Sequence, residues 1–276
     1  MSPDLDRPAA ADPAALARAA RDPQRRGCYG EAARLCEQAV HAARACWGDS
    51  HPQVVGYLNN LAVLYKHLGR NTEAIRLYRQ ALHILRGALG RGHAELATLY
   101  HNLGGVEHAR GHHRRGEVLT RHAVWLREQA LGREHPLLAR DLGALAALLD
   151  GQGRYAESEP LYLRALDVLM RSGPAAPQEI AILYNNLGAL KQCTNDSAAA
   201  EAYYRQALDL KERHFGPHHV EVAFTLNNLA VLCRTLGRVA EAAEHYQRAL
   251  TLVEAGLGTG HPHSALLRDN LARLRR

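Results

Sequence analysis

Seventeen histidines in 276 residues are the first feature with chemical potential, because a neutral imidazole binds transition metals and exchanges protons near neutral pH. Two pairs, His108 with His112 and His214 with His218, stand four residues apart. That spacing lets two imidazoles reach one zinc ion from a single helix. Gly111 and the Gly216–Pro217 turn interrupt both stretches, and no cysteine or carboxylate completes either set. The sequence therefore predicts no metal site. The five cysteines (Cys28, Cys36, Cys46, Cys193 and Cys233) form no C-x-x-C pair; Cys193 and Cys233 read as small apolar fillers rather than nucleophiles. Gly256, Gly258 and Gly260 superficially resemble a phosphate loop, but they follow a helical stretch and lack the strand that a dinucleotide site requires. No G-x-S-x-G, H-E-x-x-H or P-loop motif occurs. The expectation is a non-enzyme without cofactor.

Recognition chemistry rests instead on asparagine. Asn59–Asn60, Asn185–Asn186 and Asn227–Asn228 are paired, and Asn102 and Asn270 stand singly at related positions. Asparagine inside a helix costs about 0.5 kcal/mol relative to alanine. Its amide both donates and accepts, which suits the main chain of an extended peptide. The same amides could equally bond between neighbouring helices and brace the array. Both readings stay open, and each can hold for a different member of a pair.

The elements that position these residues follow from an internal period of 42 residues. Units begin at His51, His93, His135, Pro177, His219 and His261. Leu61, Leu103, Leu145, Leu187, Leu229 and Leu271 recur at one position, each followed by Ala or Gly. A second position is alanine in every unit: Ala39, Ala81, Ala123, Ala165, Ala207 and Ala249. Each unit reads as two helices. Leu58, Leu61, Ala62 and Tyr65 fall at i, i+3, i+4 and i+7 in an A helix from about Pro52 to His67; Ala74, Leu77, Tyr78 and Ala81 do so in a B helix from Asn71 to Leu89. Gly27, Gly69, Gly111, Gly153 and Gly237, with Asn195 substituting once, supply the stop between them, since glycine tolerates the left-handed conformation. Five histidines that open units are expected to cap or wedge the loop before each A helix. A hairpin with one apolar face cannot bury it alone, so neighbours must stack.

The segments LNNLAVLYKHLGRNTEAIRLYRQAL and LNNLAVLCRTLGRVAEAAEHYQRAL resemble tetratricopeptide repeats, and the 42-residue period with its H-P start resembles the kinesin-light-chain subtype. That resemblance implies an all-α, right-handed superhelical solenoid of antiparallel helix pairs. It gives a tail over 1–13, a degenerate capping repeat over 14–50, and five repeats over 51–92, 93–134, 135–176, 177–218 and 219–260. A capping helix over 261–276 follows, with Arg275 and Arg276 on its polar face. Pro23 interrupts the expected first A helix.

In such repeats the A helices line a concave face. The positions opposite the packed stripe are Asn59, Asn60, Lys66 and His67 in the first full unit, and His101, Asn102 and His108 in the second. The third offers Arg140 and Asp150, with Gly143 and Ala144 forming a smooth apolar patch where the asparagine pair should be. Asn185, Asn186 and Gln192 follow, then Phe224, Asn227, Asn228 and Arg234, and finally Asn270 and Arg273. The groove is expected as two contact patches separated by that plainer stretch. The position of Tyr65 becomes Glu107, Leu149, Lys191, Cys233 and Arg275; a charge there must be half-buried or locally paired.

The partner class implied is a protein or peptide. Lys66, Arg140, Arg234 and Arg273 outnumber Asp150 and Asp269 on this face, which favours an acidic one. Net charge is +6 with a pI near 9.2, but the charge is spread and lacks aromatic interleaving, so nucleic acid is not expected. No apolar run approaches a membrane span and no signal peptide is recognisable, making the cytoplasm the simplest address. A monomer or weak homo-oligomer is expected. Two other functions are compatible with the pattern: a self-assembling structural array, and a sensory domain that binds a small ligand or signalling peptide.

Overall fold

In a computed structural model, which describes residues 12–173 and 177–274, every regular element is a helix. Residues 1–11 of the expected tail, and Arg275 and Arg276 of the expected cap, lie outside the described residues. The chain divides into two compact units between Arg133 and Glu134, inside the loop that precedes the unit opened by His135.

The N-terminal unit begins with α1 (Pro13–Ala19), α2 (Arg21–Arg25) and α3 (Tyr29–Trp47). Asp12 and Pro13, assigned to the tail by sequence, instead cap and open α1: the Asp12 carboxylate accepts from the Ala14 amide, and Pro13 is buried. The break between α1 and α2 at Ala20 follows from Pro23, which cannot donate to the Ala19 carbonyl. Two hairpins follow, α4 (Val54–His67) with α5 (Asn71–Leu89), and α6 (Leu96–Ala109) with α7 (His113–Leu131). The C-terminal unit holds α8 (Pro136–Asp150) with α9 (Tyr155–Arg171), α10 (Pro177–Cys193) with α11 (Ser197–Phe215), α12 (Val220–Thr235) with α13 (Val239–Leu257), and α14 (Pro262–Leu274). Within each unit an A helix packs on its own B helix, on the preceding B helix and on the next A helix.

The turns inside hairpins form as the glycine spacing predicts. Gly69 and Gly153 have φ of 73°, and Asn195 takes their place at φ 62°. His135 and His219 are the N-caps of α8 and α12, whereas His51 and His93 close the short turns that lead into α4 and α6, whose own N-caps are Gln53 and Glu95. Nδ1 of His51, His93, His135, His219 and His261 accepts the amide two residues ahead at 3.2–3.3 Å. This satisfies one of the orphan donors at a helix start and places the ring proton on Nε2.

Hairpin closure depends on the small residue after the recurrent leucine. Ala62, Ala146 and Ala230 are fully buried. At Gly188 an added Cβ would lie 2.6 Å from the Tyr204 ring, and at Gly104 it would meet Thr120 Oγ1 and, at 3.2 Å, the Gly116 carbonyl. Across that contact stand Tyr78, Tyr162, Tyr204 and Tyr246, all buried. Two of their hydroxyls donate to the A-helix end, Tyr162 to Asp150 at 2.8 Å and Tyr204 to Gln192 at 3.1 Å.

The two described charged residues at the Tyr65 position, Glu107 and Lys191, are paired. Glu107 is buried and bonds His112 at 2.8 Å, with Arg110 at 3.5 Å. Half-buried Lys191 reaches Glu159 of α9 at 2.6 Å, and Tyr65 itself donates to Glu37 of α3 at 2.6 Å.

Two matched substitutions test this packing rule. Gly188→Ala should destabilise the protein by about 1–3 kcal/mol, the usual cost of overpacking. Gly56→Ala, where an added Cβ meets nothing within 4 Å, should stabilise it by about 0.5–1 kcal/mol through helix propensity. Urea unfolding followed by circular dichroism reads both. In the same assay His135→Ala should cost about 1 kcal/mol as a lost cap, and His135→Asn should recover most of it.

Candidate functional site

The outward faces of the A helices carry the asparagines, and their amides fall into two classes. Asn102 Nδ2 donates to Asn59 Oδ1 at 2.8 Å within the N-terminal unit. Asn228 Nδ2 donates to Asn185 Oδ1 at 3.0 Å within the C-terminal unit. Both bonds span 43 residues. The first asparagine of one unit thus bonds the second position of the next, and these four side chains brace adjacent A helices.

Asn60, Asn186 and Asn227 make no side-chain hydrogen bond among the described residues. Two of them have a positional reason. Asn60 would need a partner at Ala17, and Asn186 one at Gly143. Asn227 stands in register with Asn270 but the two are not bonded, and the Asn227 Oδ1 atom is buried without a hydrogen-bond partner. Asn60 is exposed; Asn186 and Asn227 are half-buried.

The third full unit differs from the smooth patch expected of it. Gly143 is buried, and a Cβ there would come within 3.0 Å of Leu183 Cδ2 on α10. Its missing side chain makes room for the neighbouring helix rather than for a ligand. Ala144 is half-buried beside it.

The remaining residues of this face divide likewise. The Lys66 ammonium lies over Gly105 of the next A helix, where an added Cβ would stand 3.1 Å away, and desolvation lowers its pKa. His67 stacks on Tyr29 of α3 with ring centroids 4.6 Å apart and planes 8° from parallel. Desolvation first, then the Lys66 charge, pushes its pKa below the ordinary imidazole value. His108 approaches His113 of α7, nitrogen to nitrogen, at 3.2 Å, and His101 is half-buried. Gln192 accepts the buried Tyr204 hydroxyl, so part of its capacity is used inside the hairpin. Phe224 is half-buried and meets the His263 ring edge-on at 5.1 Å. Arg273 pairs with Asp269 at 2.8 Å, whereas Arg140 and Arg234 are exposed. Asn270 is half-buried.

The structure adds residues that the repeat pattern does not reveal. Arg21, Gln24 and Arg25 of α2 join Tyr29 and His67 around a cleft of about 370 Å³. The signal for them was local: Arg21 and Arg25 are four apart, which places them on one side of a short helix.

Among the described residues no group of three or more His, Cys, Asp or Glu side chains could hold a metal, and no helix is long and apolar enough to cross a membrane. His112 of the first candidate pair is engaged by Glu107. Cys193 is exposed at the end of α10, and Cys233 is buried in α12.

The ladder geometry makes a direct prediction. Asn228→Ala should lower the thermal midpoint, with a cost of about 0.5–1.5 kcal/mol for the lost hydrogen bond. Asn186→Ala, which removes no bond seen here, should leave the midpoint unchanged or raise it through helix propensity. Equal losses in a differential scanning calorimetry comparison would overturn the two-class assignment.

The tetratricopeptide repeat family model matches residues 13–87, 55–115, 95–171 and 179–255, most of the chain. No curated protein matches the sequence. Among solved structures, BtubC (BKLC) from P. vanneervenii superposes with a TM-score of 0.62 at 21% identity, covering 93% of this chain and 95% of its own. A kinesin-light-chain-type protein of Podosopora anserina with nearly identical TPR-like repeats gives 0.58 at 21% identity, covering 72% and 95%. The APC/C hetero-tetramer Cut9–Hcn1 gives 0.68 at 16% identity, covering 96% of this chain but 43% of that one. At these identities the likeness is one of fold: an all-α repeat of helix pairs of the tetratricopeptide, kinesin-light-chain-like kind.

Proposed function

From the premise that this chain belongs to the tetratricopeptide repeat family, a family of protein-interaction scaffolds, we propose that it binds a peptide segment of a partner protein on the outward faces of its A helices. The observation that carries this reading is the split among the asparagines. Asn59, Asn102, Asn185 and Asn228 are consumed in bracing bonds, whereas Asn60, Asn186 and Asn227 keep amides that can clamp a peptide main chain.

Each compact unit offers its own patch. In the N-terminal unit Asn60 lies near Lys66 and His67 on α4. In the C-terminal unit Asn186 of α10 is followed by Asn227 and Arg234 of α12. Asn227 Oδ1 is the most informative atom, because a buried acceptor without a partner costs about 1–3 kcal/mol, a cost that turning the half-buried side chain toward a ligand donor would relieve. The cationic side chains Lys66, Arg140 and Arg234 fit an acidic peptide, through charge-assisted hydrogen bonds. Chemistry other than binding has no supporting constellation on these faces.

Selection from a displayed peptide library tests the reading. The wild-type protein should enrich a defined motif rich in Asp or Glu, and the synthesised motif should bind with a measurable Kd. The triple variant Asn60→Ala, Asn186→Ala, Asn227→Ala should weaken that Kd at least tenfold while its melting curve stays within a few degrees of wild type. Enrichment of no motif, or undiminished binding by the triple variant, would remove the asparagines from the binding role.

A further inference from the structure

The cleft between α2, the start of α3 and the end of α4 has a composition unlike any other part of the surface described above. Arg21, Gln24, Arg25, Tyr29 and His67 line it, and no carboxylate does. Many of the described arginines sit in ion pairs. Arg26, beside the cleft, pairs with Asp22 at 3.2 Å, and Arg70 with Glu73. Arg21 and Arg25 have no acidic partner among the described residues, although they stand one helical turn apart and point the same charge at the same space. Two like charges at i and i+4 repel in a helix. An anion between them would turn that repulsion into two attractions.

The other walls suit the same occupant. Tyr29 and His67 stack at 4.6 Å with nearly parallel planes, which holds the imidazole in one orientation. Gln24 adds an amide donor. Desolvation first, then the charge of Lys66, whose ammonium lies over Gly105 rather than in the cleft, lowers the pKa of His67. A bound anion would offset that charge.

We infer that this cleft is a binding site for an anionic oxygen-bearing group, a phosphoryl or carboxylate carried by a peptide, gripped by the Arg21 and Arg25 guanidiniums against the Tyr29–His67 stack. Guanidinium forks match both groups, through two parallel N–H···O bonds. The inference deepens the proposed peptide-binding role, because His67 belongs to both surfaces and the site would fix one acidic position of the bound segment. It also stands apart experimentally, since a free anion reports on the cleft whether or not any peptide is captured.

The test is a titration of the full chain with inorganic phosphate, and separately with acetate, at constant ionic strength, followed by the ¹H–¹³C signals of the histidine rings. His67→Gln assigns the His67 signal by its disappearance. The expected result is a saturable shift of the His67 signal by at least one anion, with the other sixteen histidines moving less; the stronger of the two identifies the phosphoryl or the carboxylate as the preferred group. The double variant Arg21→Ala, Arg25→Ala should weaken binding at least tenfold. The control Arg114→Ala, Arg115→Ala removes the same charge from the start of α7 and should bind as wild type. Absence of saturation with both anions would overturn the site, as would equal loss in the control, which would mark mere net charge. If α2 unravels in the double variant, Arg25→Gln alone, checked for an unchanged melting curve, keeps the test decisive: wild-type affinity in that folded variant counts against the site.

Discussion

The closest constraint in this molecule is the approach of each A helix to its own B helix, set at one position by the absence of a side chain or by a single methyl. Ala62, Gly104, Ala146, Gly188 and Ala230 stand there, all buried. Opposite them a tyrosine recurs at Tyr78, Tyr162, Tyr204 and Tyr246, and is replaced by Thr120 once. A residue larger than alanine would push the hairpin open, and every later contact depends on that spacing. The recurrent alanines from Ala81 to Ala249 do the same on the B helix. Neighbouring hairpins then stack through leucines whose burial is nearly complete, such as Leu58, Leu96, Leu138 and Leu226. Because the closure is purely steric, it leaves the polar faces of the A helices to other uses.

The buried tyrosines show how such a rule coexists with variation. Each brings a hydroxyl into an apolar hairpin. Asp150 and Gln192 accept two of them. The units of Tyr78 and Tyr246 carry Lys66 and Arg234 at the equivalent place, and those hydroxyls make no hydrogen bond. Burial raises the pKa of all four tyrosines, so the phenol stays neutral and the cost is one of lost solvation. The A-helix end is thereby a choice. An acceptor there satisfies the tyrosine hydroxyl, and a cation there leaves it unbonded.

Most of the fold was legible because its rules are local and periodic. The helix bounds Asn71–Leu89, the positive φ at Asn195 and the five histidine hydrogen bonds ahead of the A helices all follow from residues read at one period of 42. The candidate site was legible in its residue types but not in their division. Asn59 and Asn60 look equivalent along the chain, yet only Asn59 is braced. The deciding bonds run between residues 43 apart, one more than the period, so alignment of equivalent positions conceals them. The packing of Gly143 is hidden for a similar reason: it lies against Leu183 on the next A helix, and a repeat compared column by column does not show which residue leans into which. The cleft of Arg21 and Arg25 escaped because it lies in the degenerate first repeat, where periodicity carries no information.

The one-residue offset of the ladder also explains where unbonded amides arise. A rung needs a donor or acceptor at the first position of one unit and the second position of the next. Wherever either is missing, one amide is left over. Ala17 leaves Asn60, and Gly143 leaves Asn186. The unbonded amides of Asn60 and Asn186 are therefore produced by interruptions of the brace, and the interruptions have their own structural causes in a capping helix and in the close packing of Leu183; Asn227, with Asn270 in register, is unbonded without such an interruption. A substitution that repaired the ladder, such as an asparagine at position 143, would have to displace Leu183 from its present contact at 3.0 Å to gain one rung. Overpacking costs about 1–3 kcal/mol, whereas a net hydrogen bond contributes about 0.5–1.5 kcal/mol. On those magnitudes the gap is the more stable arrangement, and the Asn186 amide persists as a consequence of packing.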